Sequence, residues 1–151
     1  MICVDERLID KLILQAKGSE RKRTVYCFHH HPGDTLQRML NAMEPGTYVV
    51  PHKHQEPDKR EVFFLVRGKA LIVIFDKAGN ISNKYLMDTP SAIVEISPRS
   101  WHTIIPLVSG TVLYEVKDGP YDPASDKFFA PWAPDENDPE AKEYVQQLLK
   151  A

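Results

Sequence analysis

Four residues in this sequence have types and spacing that could do chemistry: His52, His54, Glu61 and His102. On a strand, residues i and i+2 point to the same face, with Cα atoms ~6.6 Å apart at ~3.3 Å rise per residue. Imidazoles at that spacing can converge on one ion through metal–nitrogen bonds of ~2.1 Å. Glu61 opens an apolar run after the turn around Pro57-Asp58, so an antiparallel return brings its carboxylate beside the histidine pair. His102, in SPRSWHTII, lies in a distant segment between a turn and an apolar run, where it can supply a third nitrogen. The ligand set suits one divalent transition metal ion and does not choose among Fe, Mn, Ni, Zn and Cu. A second assignment makes His52 and His54 loop residues, pairs Glu61 with Lys59 or Arg60, and buries His102 on a backbone partner. Glu56 and Asp58 stand in the same loop as alternative carboxylate ligands.

Other side chains are expected around the ion. The segment TLQRMLNAM, read as a strand, puts Gln37, Met39 and Asn41 on one face and Leu36, Arg38 and Leu40 on the other. Gln37, Asn41, Arg38 and Glu115 are expected to bind substrate, Arg38 by gripping a carboxylate or phosphate. Alternation along TYVVPHKH sets Tyr48 and Val50 on the face of the histidines. The catalytic candidates are Glu61, as general base where it is not a ligand, and Tyr48. His29, His30 and His31 are expected to be exposed.

These residues need elements to hold them. From Thr24 to Lys117, short apolar runs such as EVFFLV, ALIVIF, AIVEI and TVLYEV alternate with EPG, QEPDK, KAGN, SPRS and VSG. Runs of four to eight residues between Gly, Pro, Asn and Asp point to an all-β sandwich or barrel. DKAGN is the best hairpin turn. Before this core, residues 5–17 carry Leu8, Ile9, Leu12, Ile13 and Ala16 at helical spacing, with Asp5 placed to cap and Gly18 to stop. After it, residues 118–139 combine five prolines with Tyr121, Phe128, Phe129 and Trp132, a stiff extended wrap whose aromatics can anchor on the barrel. Asp138-Pro139 starts a short terminal helix with Tyr144, Val145, Leu148 and Leu149 as its stripe.

Composition narrows the function classes. The chain has 151 residues, a net charge of −2 and a pI near 6.3, which favours neither nucleic acid nor an anionic membrane as partner. Cys3 and Cys27 form no CxxC pair, so a zinc knuckle or thioredoxin chemistry has no basis. With charges throughout its first residues and no apolar run near ~20 residues, a soluble cytoplasmic protein is expected. Walker A, G-x-S-x-G and G-x-G-x-x-G patterns are missing.

Gly46, His52, His54, Glu61 and Gly68 follow in the order of the first cupin motif, and Pro98 and His102 fall in the second. The gap from His54 to Glu61 is longer than the common one, Ser100 stands where glycine is usual, and Pro106 where asparagine often is. The stretches QRMLNAMEPGTYVVPHKH, EVFFLVRG, WHTI and GTVLYEVKDGPYDPASDKFFAPWAP resemble the WbuC-type cupin-fold metalloproteins over nearly the whole chain. The resemblance implies a single cupin (jelly-roll) barrel of residues 24–117 with short N- and C-terminal helices, and a bound metal. It also implies a bacterial cytoplasmic setting in surface-polysaccharide (O-antigen) metabolism, and a homodimer. It leaves the reaction open: a metal-dependent enzyme of isomerase, epimerase or oxygenase type on a small polar or sugar-related molecule, or a non-catalytic sugar-binding regulatory module.

Overall fold

The computed structural model describes residues 1–89 and 92–151. Ten strands form two antiparallel five-stranded sheets. The first sheet runs β1 (Arg23–Cys27), β2 (Leu36–Met43), β9 (Thr111–Asp118), β4 (Glu61–Arg67) and β7 (Ile93–Ile96) from edge to edge. The second runs β10 (Phe128–Phe129), β3 (His52–Lys53), β8 (Trp101–Pro106), β5 (Ala70–Phe75) and β6 (Ile81–Met87). Neighbours in each sheet are mostly distant in sequence, which is jelly-roll connectivity.

The two sheets face one another across a core of Met43, Phe63, Leu65, Ile72, Met87 and Leu113. Alternation produces it: on β4, Glu61, Phe63 and Leu65 are buried, and the residues between them are half-buried. β2 is a strand although its composition suits a helix, because it is paired along its whole length with β9, from Leu36↔Asp118 to Met43↔Thr111. Tertiary pairing outweighs a weak intrinsic preference.

Each outer face is covered by one helix. α1 (Glu6–Gly18) begins where Asp5 Oδ1 accepts the Leu8 N–H at 2.9 Å. Its stripe of Ile9, Leu12, Ile13 and Ala16 lies on Leu40, Ala42 and Val112, the outward residues of the first sheet. Gly18 does not stop the helix by turning left-handed; it is the last helical residue, and extended Ser19 caps it. α2 (Ala141–Lys150) lays Ala141, Val145 and Leu148 on Val73, Phe75 and Ile105 of the second sheet. Asp138 organises the start of α2: its Oδ1 accepts the Glu140 N–H at 2.8 Å and its carbonyl the Ala141 N–H at 3.0 Å.

Two strands lie where the sequence shows no apolar run, although the DKAGN turn leads into the first. β6 is polar and mostly exposed, an edge strand paired only with β5 through the Asp76–Asn80 turn. β10 comes from the proline-rich wrap, whose Phe128 and Phe129 pair with Lys53 and His52. Conversely, Thr47–Val50, read as a strand, is outside the ladder, which begins at His52. Gly68, between β4 and β5, has φ +84, and a Cβ there would sit 2.7 Å from the Thr111 Cα, so only glycine fits this turn.

Candidate metal centre

His52 on β3 pairs directly with His102 on β8. His54 follows His52 by two residues, and Glu61 is the first residue of β4 in the facing sheet. One potential ligand atom from each of the four lies within 4.8 Å of all the others, and all four residues are buried. Metal–ligand bonds of ~2.1 Å put two donors of one ion at most ~4.2 Å apart, so the four atoms are gathered to nearly the spread one ion would need. The loop between His54 and Glu61 leaves Glu56 and Asp58 exposed, with Asp58 bonded to Arg99 at 2.7 Å. Glu61 is therefore the carboxylate of the cluster. The long gap also lets Lys59 turn inward from that loop.

The hydrogen bonds of the far ring nitrogens set the tautomers. His52 Nδ1 lies 2.9 Å from the Val50 carbonyl, His102 Nδ1 2.9 Å from the Ser100 carbonyl, and His54 Nδ1 2.5 Å from the Asp126 carbonyl. A carbonyl only accepts, so each Nδ1 carries the proton and each Nε2 presents a lone pair. His54 Nε2, His102 Nε2 and Glu61 Oε2 are buried without hydrogen-bond partners, yet His102 Nε2 is 2.9 Å from Glu61 Oε2 and His54 Nε2 3.5 Å from Glu61 Oε1. Lone pairs held this close repel unless a cation lies among them, either a proton on an imidazole or a metal ion. Burial holds His52 well below the usual imidazole pKa, so it is neutral, the form that ligates. Burial opposes charge on Glu61, but the His102 and His54 imidazoles beside it outweigh that and hold the carboxyl well below its usual range. This donor set fits a divalent transition metal ion.

His52, Glu61 and His102 open onto a cavity of about 660 Å³ between the sheets. The inward residues of β2 and β9 form its wall: Gln37, Met39 and Asn41, then Glu115 and Lys117. Asn41 Nδ2 donates to Glu115 Oε2 at 2.8 Å. Burial, and then the Glu61 carboxylate, push Glu115 up to about 8. Gln37 is turned to structure, its amide donating to the Asp34 and Pro32 carbonyls at 2.7 and 3.1 Å.

Two expected site residues lie elsewhere. Arg38 is on the outward face of β2, where its guanidinium donates to the Phe28 carbonyl at 3.1 Å, and it does not line the cavity. The strand's own alternation separates it from Gln37 and Asn41. Tyr48 packs under α2 against Tyr144, and its hydroxyl donates to the Pro134 carbonyl at 2.9 Å. Residues 47–50 are not in a ladder, so strand alternation does not hold there. His30 and His31 are exposed, while His29 lines the cavity wall.

A second layer, not anticipated from sequence, centres on Asp126. Its carboxylate bonds Lys59 at 2.8 Å and Lys117 at 2.7 Å, all three side chains buried, while its carbonyl accepts from His54. Burial opposes the charge of Asp126, and the Lys117 and Lys59 partners overcome it, lowering its pKa. The proline-rich wrap is thereby tied to the barrel and holds one ligand in its tautomer.

Residues 4–87 match the family model described as "Domain of unknown function (DUF6016)". No curated protein shows significant sequence similarity to the chain. Solved structures of cupin type do resemble it. A cupin superfamily protein from Desulfitobacterium hafniense is 14% identical with a TM-score of 0.52, over 64% of this chain and 76% of that one. L-ribose isomerase from Cellulomonas parahominis is 13% identical with a TM-score of 0.59, over 73% and 70%. The capsular polysaccharide assembling protein CapF from Staphylococcus aureus is 23% identical with a TM-score of 0.57, over 74% of this chain but 32% of its own. At these identities the likeness shows the fold, a cupin jelly roll.

Proposed function

Since the chain belongs to the DUF6016 family, whose description names no reaction, we propose a function from the site itself: a metal-dependent enzyme acting on a small polar, sugar-related molecule. The observation that carries it is the set of buried, partnerless lone pairs on His54, His102 and Glu61, beside a ligand-sized cavity. His52, His54, Glu61 and His102 would hold the ion, which when bound would supply Lewis-acid or redox chemistry to a substrate oxygen.

The chain's own residues supply binding and proton handling. Asn41 and Glu115 offer an amide and a carboxyl to hydroxyl groups on one wall. Glu115, with its pKa at about 8, holds a proton at neutral pH and can donate it to a substrate oxygen. Gln37 holds the turn that shapes the wall. Phe63, Leu113 and Ile104 close the floor and exclude water from the inner side of the cavity.

The setting is part of the same proposal. The resemblance to the WbuC-type proteins supports bacterial surface-polysaccharide metabolism in the cytoplasm, and CapF, a similar fold, is described as assembling capsular polysaccharide. None of the described helices is long and apolar enough to cross a membrane. A homodimer is the expected assembly, and light scattering tests it. The decisive experiment is elemental analysis of protein purified without a histidine tag, followed by turnover assays on nucleotide sugars and free sugars. One transition metal per chain, lost in His52→Ala and His102→Ala, is expected. Metal-free protein whose ligand binding survives both substitutions would overturn the reading, and stoichiometric metal without turnover would make it a binding module.

A further inference from the structure

Lys127 differs from the other cations on the cavity wall. Arg21 and Arg23 both bond Glu136, at 2.7 and 2.6 Å, and Lys117 bonds Asp126 at 2.7 Å. Lys127 lines the same cavity, and its ammonium has no ion-pair or hydrogen-bond partner among the described residues. It immediately precedes β10, whose Phe129 pairs with His52, so it sits on the segment that closes over the metal ligands. Burial lowers its pKa, and the nearby Glu61 and Glu115 carboxylates oppose that fall.

The charge balance of the cavity explains what such a cation is free to do. Asp126 and Glu136 each already satisfy two cations. Glu61 belongs to the candidate ligand set and Glu115 accepts from Asn41, so Arg21, Arg23, Lys59, Lys117 and Lys127 still outnumber the four carboxylates. The cavity therefore carries a positive excess even with neutral histidines, and a divalent ion among them adds to it. The chain as a whole is at −2, so this excess is a local arrangement. An unpaired ammonium beside a ligand-sized cavity is complementary to a negative group on the ligand. A lysine acts as a point charge, so a carboxylate and a phosphate ester meet the same requirement. Phe129 and Val25, 59% and 49% exposed, stand at the rim and give an apolar surface for the body of the ligand.

We propose that the cavity takes a sugar-sized molecule carrying an anionic group, carboxylate or phosphate, which Lys127 receives while other oxygen atoms of the ligand reach the candidate metal centre where His52, Glu61 and His102 open onto the cavity. The second half of this assignment rests on the metal-centre reading above; the first half does not. Calorimetric titration of metal-loaded protein with glucose, glucuronate and glucose 1-phosphate tests it, with Lys127→Met beside the wild type. At least one of the two anions is expected to bind roughly tenfold more tightly than glucose. The better of the two identifies carboxylate or phosphate as the group received. In Lys127→Met the ratio should fall toward one, with metal content and melting temperature unchanged. Equal binding of glucose and both anions, no binding of either anion, or a preference that survives Lys127→Met would overturn the assignment while leaving the metal centre standing. A chain that takes up no metal would overturn the metal-centre reading instead, and the same titrations on metal-free protein would still decide the role of Lys127.

Discussion

The inside of this barrel has two ends built from the same strands. On β4 the inward residues run from Glu61 to Phe63 and Leu65; on β8, from His102 to Ile104; on β9, from Lys117 and Glu115 to Leu113. At one end alternation delivers apolar side chains that need only shape. At the other it delivers ionisable groups in equally buried positions, which hold only because each is matched. Asp126 answers Lys59 and Lys117, Asn41 answers Glu115, and backbone carbonyls answer three imidazole Nδ1 atoms. The remaining lone pairs on Nε2 and Oε2 are the part of the polar end with no protein answer. The apolar end stabilises the fold, and the polar end uses that stability to keep a ligand set together.

The two ends should separate under mutation. The largest effect is expected at the ligands: His102→Ala should weaken metal binding by more than the ~10–100-fold that loss of an outer partner costs, yet cost metal-free stability no more than the ~0.5–3 kcal/mol of an ordinary substitution. Competition with a chelator and urea unfolding measure the two. If metal-free His102→Ala lost several kcal/mol, the imidazole would belong to the core and the division would break.

Asp126→Ala comes next. It strands two buried ammonium groups and should cost about 3–5 kcal/mol, together with weaker metal binding through His54. Lys59→Met with Lys117→Met in the same chain should restore much of the stability but less of the metal affinity, since the wrap would still lack its anchor. Leu113→Ala, at the apolar end, should cost about 2–5 kcal/mol in urea unfolding through the cavity it leaves. Its folded fraction should keep one metal per chain; loss of metal there would show that the ends are not independent.

The smallest expected effect is on pH dependence. The folded-state pKa of Glu115 is about 8, raised above its ordinary 4.5 by burial and then by Glu61. A folded pKa above the unfolded one gives stability that is fully present below the unfolded value and lost as pH rises through the folded value. Between about 4.5 and 8, metal-free protein should therefore lose stability from this group as pH rises, and Glu115→Gln should flatten that slope. A slope unchanged by the substitution would show that the carboxyl titrates normally. It would then resemble an exposed group rather than a member of the buried polar end.

Much of this is legible in the sequence. The runs and turn signals between Thr24 and Lys117 define a barrel because period-two burial leaves a strong trace in sequence. The α1 stripe and the Asp5 cap are as clear, for the same reason at a different period. Edge strand β6 left only the DKAGN turn that leads into it, since a strand exposed on most of its residues needs no apolar pattern. Alternation extended backward from the histidines reaches Tyr48, but its segment does not join the ladder. Arg38 is adjacent to Gln37 on β2, and neighbours on a strand point to opposite faces.

The sequence by itself determined the chemistry available: three imidazoles and a carboxylate at spacings that strands can bring together, within an all-β chain of −2 net charge. Which groups meet was decided only by tertiary structure. His52 faces His102 across a ladder spanning fifty residues of sequence, and Asp126 reaches His54 and two lysines from a wrap with no local periodicity. Lys127 has no ion-pair partner among the described residues, while Glu136 and Asp126 are each taken by two other cations. The physical reason is range: periodicity and turn chemistry act over a few residues and are written locally, whereas electrostatic matching is settled by whichever distant segments the sheets bring into one low-dielectric space.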